Sequence, residues 1–338
     1  MQGIPLESLY EHKFLQHLRH EYLISYDAPE RNLCYGKKMP RVEVLGVTMA
    51  PRHAGDTRTR KKKNTLLRIW EWVRARAPIT LEFDNDLVKR ISGEEDFSNQ
   101  FDVTKVDTTA KLPPFFREND VFMVHVGDGK HRFVRPIQKG YFPLPMDVGA
   151  PKDWPYKPGI LNGRDESEAG VLSLAFNNQV IQDFLFDNPR EPVMIHLPRR
   201  TRVGTKGNTF DYRIGDTMVH AKNLQIEMDF LLQSFPRKKD LGIVGVAEAK
   251  RVKKPSDMPD FAITQLFLPF RRLLDLVPDR SPENVKCAFV LGYKDEEGNE
   301  RIRLFEFKFT DQTRLDSIEP VKDERGRAKA REYILRKT

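Results

Sequence analysis

Residues Gln225–Lys250, QIEMDFLLQSFPRKKDLGIVGVAEAK, decide the architecture. Leu224–Leu232 and Gly242–Ala249 alternate or run apolar at strand length, separated by the basic loop Pro236–Asp240. Val244, Val246 and Ala247 make the second stretch a buried strand, and it ends abruptly in charge. Period-two alternation puts Glu248 and Lys250 on one face and Ala249 on the other. Asp229 lies inside the first strand, between Met228 and Phe230. If the two strands are neighbours, Asp229, Glu248 and Lys250 converge. Ionisable groups at the end of a buried strand are costly unless paired or bound to metal. Two carboxylates and the Ala249 carbonyl are hard oxygen donors of the kind Mg²⁺ prefers. The ammonium of Lys250 is then placed to position or deprotonate a water, or to offset charge on a phosphate.

Working outward, Ser167–Leu185 has helical periodicity through Val171, Leu174, Ala175, Val180 and Phe184, and Thr209–Ile214 suits a strand. Phe261–Leu276 returns to helical spacing, with Pro269 expected to break or kink it. Lys286–Tyr293 and Arg301–Phe309 predict a hairpin around Glu297, Gly298 and Asn299. The order helix, strands, helix, strands implies an α/β class with a mixed central sheet flanked by helices.

Pro143, Pro145, Pro151 and Pro155 crowd residues 141–159, where helix propagation and central-strand pairing are both disfavoured. This predicts a Pro-rich linker between a domain of residues 1–140 and one of residues 160–338. In the first, Asn64–Arg76 reads as a helix capped by Asn64 and ended by Pro78, with Leu66, Leu67, Trp70 and Val73 as its apolar stripe. Trp72 is expected outside the core. Val121–Val126 and His131–Val134 flank Gly127-Asp128-Gly129 as a hairpin, so the N-terminal unit is itself α/β.

The 338 residues carry a formal charge of +8 and a pI near 9.3, which favours an anionic partner. The excess is shared evenly, four charges in residues 1–150 and four in the rest. It concentrates at Arg58–Lys63, Arg199–Lys206, Arg237–Lys239 and Lys250–Lys254. Arg58, Arg60, Lys61, Lys62 and Lys63, read as a loop ahead of the helix, and Arg199, Arg200, Arg202 and Lys206 are the candidate phosphate contacts. Any one such cluster is equally well a solvated loop. The longest apolar runs are strand-length, so no membrane span is expected. Glu7, Glu11 and His12 interrupt what a signal peptide would need, and a cytoplasmic location is expected. Cys34 and Cys287 are too few for a disulfide framework or a cysteine zinc site. His125 and His131 flank a hairpin turn with no further His or Cys to complete a metal set.

The pattern Asp229…Glu248-Ala249-Lys250 resembles the PD-(D/E)XK nuclease superfamily, which holds many type II restriction endonucleases. Gln225-Ile-Glu-Met-Asp229 is similar to the Q-x-E-x-D strand of one restriction subgroup. Asp260-Phe-Ala-Ile-Thr-Gln265-Leu-Phe-Leu-Pro-Phe-Arg271 resembles the segment after the lysine, where that subgroup has a glutamine near the active site. Glu166 and Glu168 open a helix where such nucleases carry a further acid; which of the two faces the sheet is open. The likeness covers roughly residues 160–312, and Met228 stands where the name-giving proline would be.

The resemblance implies a restriction-endonuclease-like core, with Asp229, Glu248, Lys250 and Gln265 catalytic and Mg²⁺ held by Asp229, Glu248 and the Ala249 carbonyl. It implies sequence-specific hydrolysis of double-stranded DNA by in-line attack of water, leaving a 5′-phosphate, with the N-terminal unit contributing recognition. A homodimer and a companion DNA methyltransferase acting on the same site would accompany a restriction-modification role. The alternatives are a repair or defence nuclease that reads structure or modification, and a catalytically inactive DNA-binding module. For Glu248 and Lys250 alone, a surface ion pair at a strand end is the competing reading.

Overall fold

The computed structural model describes residues 54–158, 166–196, 199–201, 208–235, 242–276 and 281–338. In chain order the first half comprises α1 (Ala54–Arg76), β1 (Glu82–Asp84), α2 (Asn85–Glu94), β2 (Phe122–Gly127), β3 (Lys130–Val134), β4 (Tyr141–Pro143) and β5 (Lys152–Tyr156). The second half continues with α3 (Glu168–Asn177), α4 (Val180–Phe186), β6 (Val193–His196), β7 (Arg199–Thr201), β8 (Asn208–Ile214), β9 (Thr217–Leu224), β10 (Ile226–Met228) and β11 (Phe230–Ser234). It closes with β12 (Val244–Arg251), β13 (Asp260–Ala262), α5 (Thr264–Leu276), β14 (Val285–Lys294), β15 (Glu300–Phe309), β16 (Ile318–Pro320) and β17 (Ala330–Lys337).

The central sheet has eight strands in the order β5-β17-β15-β14-β12-β11-β6, with β16 paired to β15. β12 and β14 are parallel, as are β17 and β5; β11 and β12 are antiparallel, as are β14 and β15. The chain is therefore mixed α/β, with a curled mixed sheet flanked by helices. Strands buried on both faces need near-continuous apolar sequence, and β12 and β14 supply it. Val244 and Val246 pack on one face of β12 with Leu266, Phe267 and Phe270 of α5. Ala247 and Ala249 pack on the other with Val171, Leu172 and Ile181 of α3 and α4. At Gly292 of β14 a Cβ would lie 2.4 Å from a methyl of Val171, so the glycine lets α3 approach the sheet closely.

Several expectations shift. The helix at Ser167–Leu185 is two helices, because Gln179 adopts a left-handed conformation (φ 61°) between them. The strand at Leu224–Leu232 is divided: Leu224 ends β9, β10 pairs with β7 and β11 with β12, so the chain changes sheets at Asp229. α5 runs through Pro269, and the missing amide there is the one that would bond the Gln265 carbonyl. α1 starts at Ala54, ten residues before Asn64, with Leu66, Ile69, Trp70 and Val73 buried and Leu67 exposed. Trp72 is half-buried, with the guanidinium of Arg76 5.1 Å from its ring centre.

The segment 141–159 was expected to link two domains, but its described part is built into the sheets of the second half. β4 pairs with β13 and β5 with β17. Short proline-containing strands tolerate this at sheet edges, where an N–H need not bond a neighbour. Residues 53–338 cluster as one compact unit. Among the described residues no helix is long and apolar enough to cross a membrane.

Candidate active site

The ladder between β11 and β12 ends at Phe230↔Ala247, so one register step further sets Asp229 opposite Glu248. β12 continues to Arg251 while pairing only with β14 there, which leaves that end of β12 open towards Asp229. The Val252 amide donates to the Gly292 carbonyl. Peptide groups alternate sides along a strand, so the even-numbered ones face β14 and the Ala249 carbonyl faces the open side. The three donors expected from sequence, Asp229, Glu248 and the Ala249 carbonyl, thus border one space.

Glu248 and Lys250 are each only 8% exposed. Lys250 Nζ lies 2.7 Å from Glu248 Oε1 and 3.0 Å from Glu168 Oε1. Ser167 caps α3 by accepting from the Gly170 amide, which fixes Glu168 as the first helical residue. Glu166 instead pairs with Lys294 at 3.1 Å. Glu168 is therefore the acid that reaches Lys250, and the tight packing of Val171 on Gly292 brings it there.

Gln265, in the first turn of α5, donates from Nε2 to Glu248 Oε1 at 2.8 Å and to Asp107 Oδ1 at 3.2 Å. Asp107 carries no motif in its own surroundings and was not foreseen. Its position depends on pairing between residues 151 or more apart in sequence, beginning with Thr108 and Asp260. An open cleft of about 580 Å³, lined by Glu166, Glu168, Leu172, Asp229 and Arg251, leads to this cluster.

Burial pushes the Glu248 carboxyl well above its ordinary range; Lys250 opposes the shift and the neighbouring Asp229 adds to it. Burial pulls Lys250 down, but the charges of Glu248, Asp107 and Glu168 outweigh it and hold the ammonium protonated. Oδ2 of Asp229 and Oε1 of Gln265 are buried without a hydrogen-bond partner. Glu248 and Asp229 hydrogen-bond each other and one Asp229 oxygen has no further partner; two buried carboxyls held together in this way are an environment that a divalent cation would relieve. The residues present therefore fit a hard cation. Among the described residues no group of three or more His, Cys, Asp or Glu forms a metal cluster; the set expected here has two side-chain ligands and a carbonyl.

The basic residues of α1 are not a loop. Arg58 pairs with Asp102 at 3.4 Å and Lys61 with Asp96 at 2.6 Å, while Lys62 donates to the Lys105 carbonyl at 2.7 Å. A helix docked on residues 96–105 uses these charges internally; Arg60 points to solvent. Arg199 and Arg200 lie in β7, opposite Met228 and Glu227 of β10. Arg202, Lys206 and the loop Pro236–Asp240 fall outside the described residues. The rings of His125 and His131 meet 4.4 Å apart, and His131 Nε2 lies 2.9 Å from Asn85 Oδ1.

Residues 138–325 match the family described as a domain of unknown function, DUF6997, which spans more than half of the chain. The chain belongs to that family. Residues 69–133 match a second, DUF6996, also a domain of unknown function. Asp107 lies within the DUF6996 match and Glu168, Asp229, Glu248, Lys250 and Gln265 within the DUF6997 match, so the cluster draws on both. No curated protein and no solved structure matches the chain.

Proposed function

We propose that the protein is a Mg²⁺-dependent endonuclease that hydrolyses phosphodiester bonds of double-stranded DNA at a specific sequence, built on a restriction-endonuclease-like core. The observation that carries this reading is the convergence of Glu248 and Glu168 on the buried ammonium of Lys250 at the open end of β12, with Asp229 beside Glu248. A structural ion pair needs one carboxylate for one ammonium. Here Glu248 and Glu168 both contact it, Asp107 behind Gln265 adds its charge, and Asp229 stands beside Glu248.

Mg²⁺ held by Asp229, Glu248 and the Ala249 carbonyl would supply positive charge at the scissile phosphate and lower the pKa of an attacking water. Lys250 stays protonated between its carboxylates, so it serves as a donor: it orients the water or offsets charge on a phosphate oxygen, rather than taking a proton. Glu168 keeps that ammonium in place. Attack in line with the departing O3′ forms the new P–O bond as the old one breaks, leaving a 5′-phosphate and a 3′-hydroxyl. The net charge of +8 suits a polyanionic substrate. In a restriction-modification setting, a two-fold dimer would match a palindromic site, with a methyltransferase protecting that site.

Digestion of plasmid and phage DNA with the purified chain, with Mg²⁺ and with chelator, tests the reading. Discrete fragments only with Mg²⁺ are expected. An even smear would favour structure- or modification-directed cutting, and intact DNA under all conditions would overturn the assignment.

A further inference from the structure

The segment Val106–Thr109 is fastened to the paired strands β13 and β4 more thoroughly than a surface connection requires. The Asp107 carbonyl accepts from the Ala262 amide at 2.8 Å, and the Val106 carbonyl accepts from the Tyr141 hydroxyl at 3.3 Å. Asp260 Oδ1 accepts from the Thr108 hydroxyl and the Thr109 amide, both at 2.7 Å, and its other oxygen accepts from the Thr109 hydroxyl. Thr108 is fully buried. The outcome is that Asp107 is fixed opposite Gln265, which begins three residues after Ala262.

That placement decides the orientation of the Gln265 amide. Its Nε2 donates to Glu248 Oε1 at 2.8 Å and to Asp107 Oδ1 at 3.2 Å, oxygens of two side-chain acids. Glu248 Oε1 already accepts from the Lys250 ammonium, so any proton on that acid sits on its other oxygen, and an amide N–H₂ has two hydrogens to give; the NH₂ end therefore faces both acids. The other end of the amide, Oε1, is then a buried acceptor with no partner. A buried acceptor left unpaired costs about 1–3 kcal/mol. With Glu248 alone, the amide could rotate to seek another arrangement; with Asp107 as well, both donors are committed.

We propose that Asp107 is a positioning residue of the active site: it commits the Gln265 amide so that the free Oε1 accepts a hydrogen bond from the water that attacks the phosphodiester. The inference rests on the nuclease reading, and it makes the site composite. The segment matching DUF6996 supplies part of the hydrolytic apparatus, in addition to any role in recognition.

The test is a double-variant cycle in the full chain, with Asp107→Ala, Asp107→Asn, Gln265→Ala and the double variant Asp107→Ala/Gln265→Ala. Single-turnover cleavage, the Kd for DNA in Ca²⁺ and the melting temperature are measured for each. Loss of a supporting residue of this kind lowers activity by about 10- to 100-fold. Asp107→Ala should fall in that range with DNA affinity unchanged. Asp107→Asn, whose carbonyl can still accept, should recover most of the rate. The double variant should be no slower than Gln265→Ala alone, since one residue acts through the other. Losses that multiply, or an Asp107→Ala rate equal to wild type, would overturn the proposal. The side-chain amide signals of Gln265 in NMR spectra give a readout independent of cleavage. They should be shifted and protected from exchange in wild type and lose that protection in Asp107→Ala. If wild type cuts no DNA, the nuclease reading fails by itself, and unchanged amide signals in Asp107→Ala would still sink the positioning role.

Discussion

The carboxylate of Glu168, the first residue of α3, lies 3.0 Å from the ammonium of Lys250 at the end of β12. α3 covers the sheet face of Ala247 and Ala249, whereas the side chains of Glu248 and Lys250 follow Val246 on the opposite face. Glu168 and Lys250 meet because β11 no longer pairs with β12 beyond Ala247, and an acid can reach round the exposed edge. Glu168 is half exposed and Lys250 is buried, so the pair joins solvent in the cleft to the interior of the site.

Lys250→Ala is expected to abolish cleavage and also to destabilise the fold. Removing the ammonium leaves Glu248 buried without its countercharge, a change that typically costs about 3–5 kcal/mol unless the acid takes up a proton. Lys250→Met, which keeps the packing of the stem, should be more stable than Lys250→Ala and equally inactive. Thermal melts and plasmid digestion check both. Wild-type cleavage by a folded Lys250→Met protein would remove Lys250 from the mechanism.

Asp229→Asn should behave in the opposite sense on stability. The negative charge of Asp229 contributes to raising Glu248, so neutralising it relieves repulsion between the two. Cleavage should fall by at least about 100-fold, as for loss of a group that acts in the transition state, while the melting temperature holds or rises. A large loss of stability would show that Asp229 is there for the fold.

Metal affinity should rise with pH. Glu248 is held above the ordinary carboxylate range by burial and by Asp229, so its protonated form persists to higher pH in the folded chain. Coordination requires the ionised form, and binding a cation therefore releases that proton. Below the raised pKa the log of Mg²⁺ affinity should climb by up to about one unit per pH unit, then level off above it. The same sign applies to the apo protein: stability that Glu248 draws from being protonated is lost as pH rises through its folded pKa. Calorimetric titration with Mg²⁺ across about pH 5–9 measures the slope. A flat profile would mean that Glu248 is not a ligand.

The basic residues of α1 should separate into two groups. Lys62 is half-buried, donates to the Lys105 carbonyl, and has its pKa lowered by burial; Lys62→Gln should lower the melting temperature and leave the salt dependence of DNA binding alone. Arg60→Gln should leave stability unchanged. If Arg60 contacts a phosphate, the slope of log affinity against log salt becomes shallower by about 0.9. Salt titrations of DNA binding read this directly, and an unchanged slope for Arg60→Gln would take this helix out of the interface.

Gly292→Ala tests how α3 is held. The added methyl would lie 2.4 Å from a Val171 methyl, so the helix must retreat. Overpacking of this kind costs about 1–3 kcal/mol. A displaced α3 carries Glu168 away from Lys250, and cleavage should drop with stability. Full activity with an unaltered melt would mean that the helix tolerates the shift.

Much of the architecture was legible in the chain itself. Strand-length apolar runs predicted β12, β14 and β15, because a strand buried on both faces can hold little else. Period-two alternation alone set Glu248 and Lys250 on one face, since it is a property of the extended backbone. Helical spacing marked α3, α4 and α5 as helical, though not the left-handed Gln179 that divides the first two. Asp229 was recognised as a candidate, but not as the point where the chain leaves one sheet for another, because the apolar pattern runs on through it while the buried face reverses.

What only the tertiary structure decided is which charges share a space. Glu166 and Glu168 look alike in sequence; the Ser167 cap and the contact of Val171 with Gly292 select Glu168. Asp107 lies 158 residues from Gln265 and in no recognisable motif, and it joins the site because its neighbours hydrogen-bond to β13. The charges of Arg58, Lys61 and Lys62 read as a solvent-facing run, yet their partners Asp96 and Asp102 come from 35 to 44 residues away. Local sequence governs backbone periodicity and which faces must be buried, because those depend on bonded geometry and on each side chain's own hydrophobicity. The pairing of polar groups depends on distances across the fold, and these are settled by how the helices pack on the sheet.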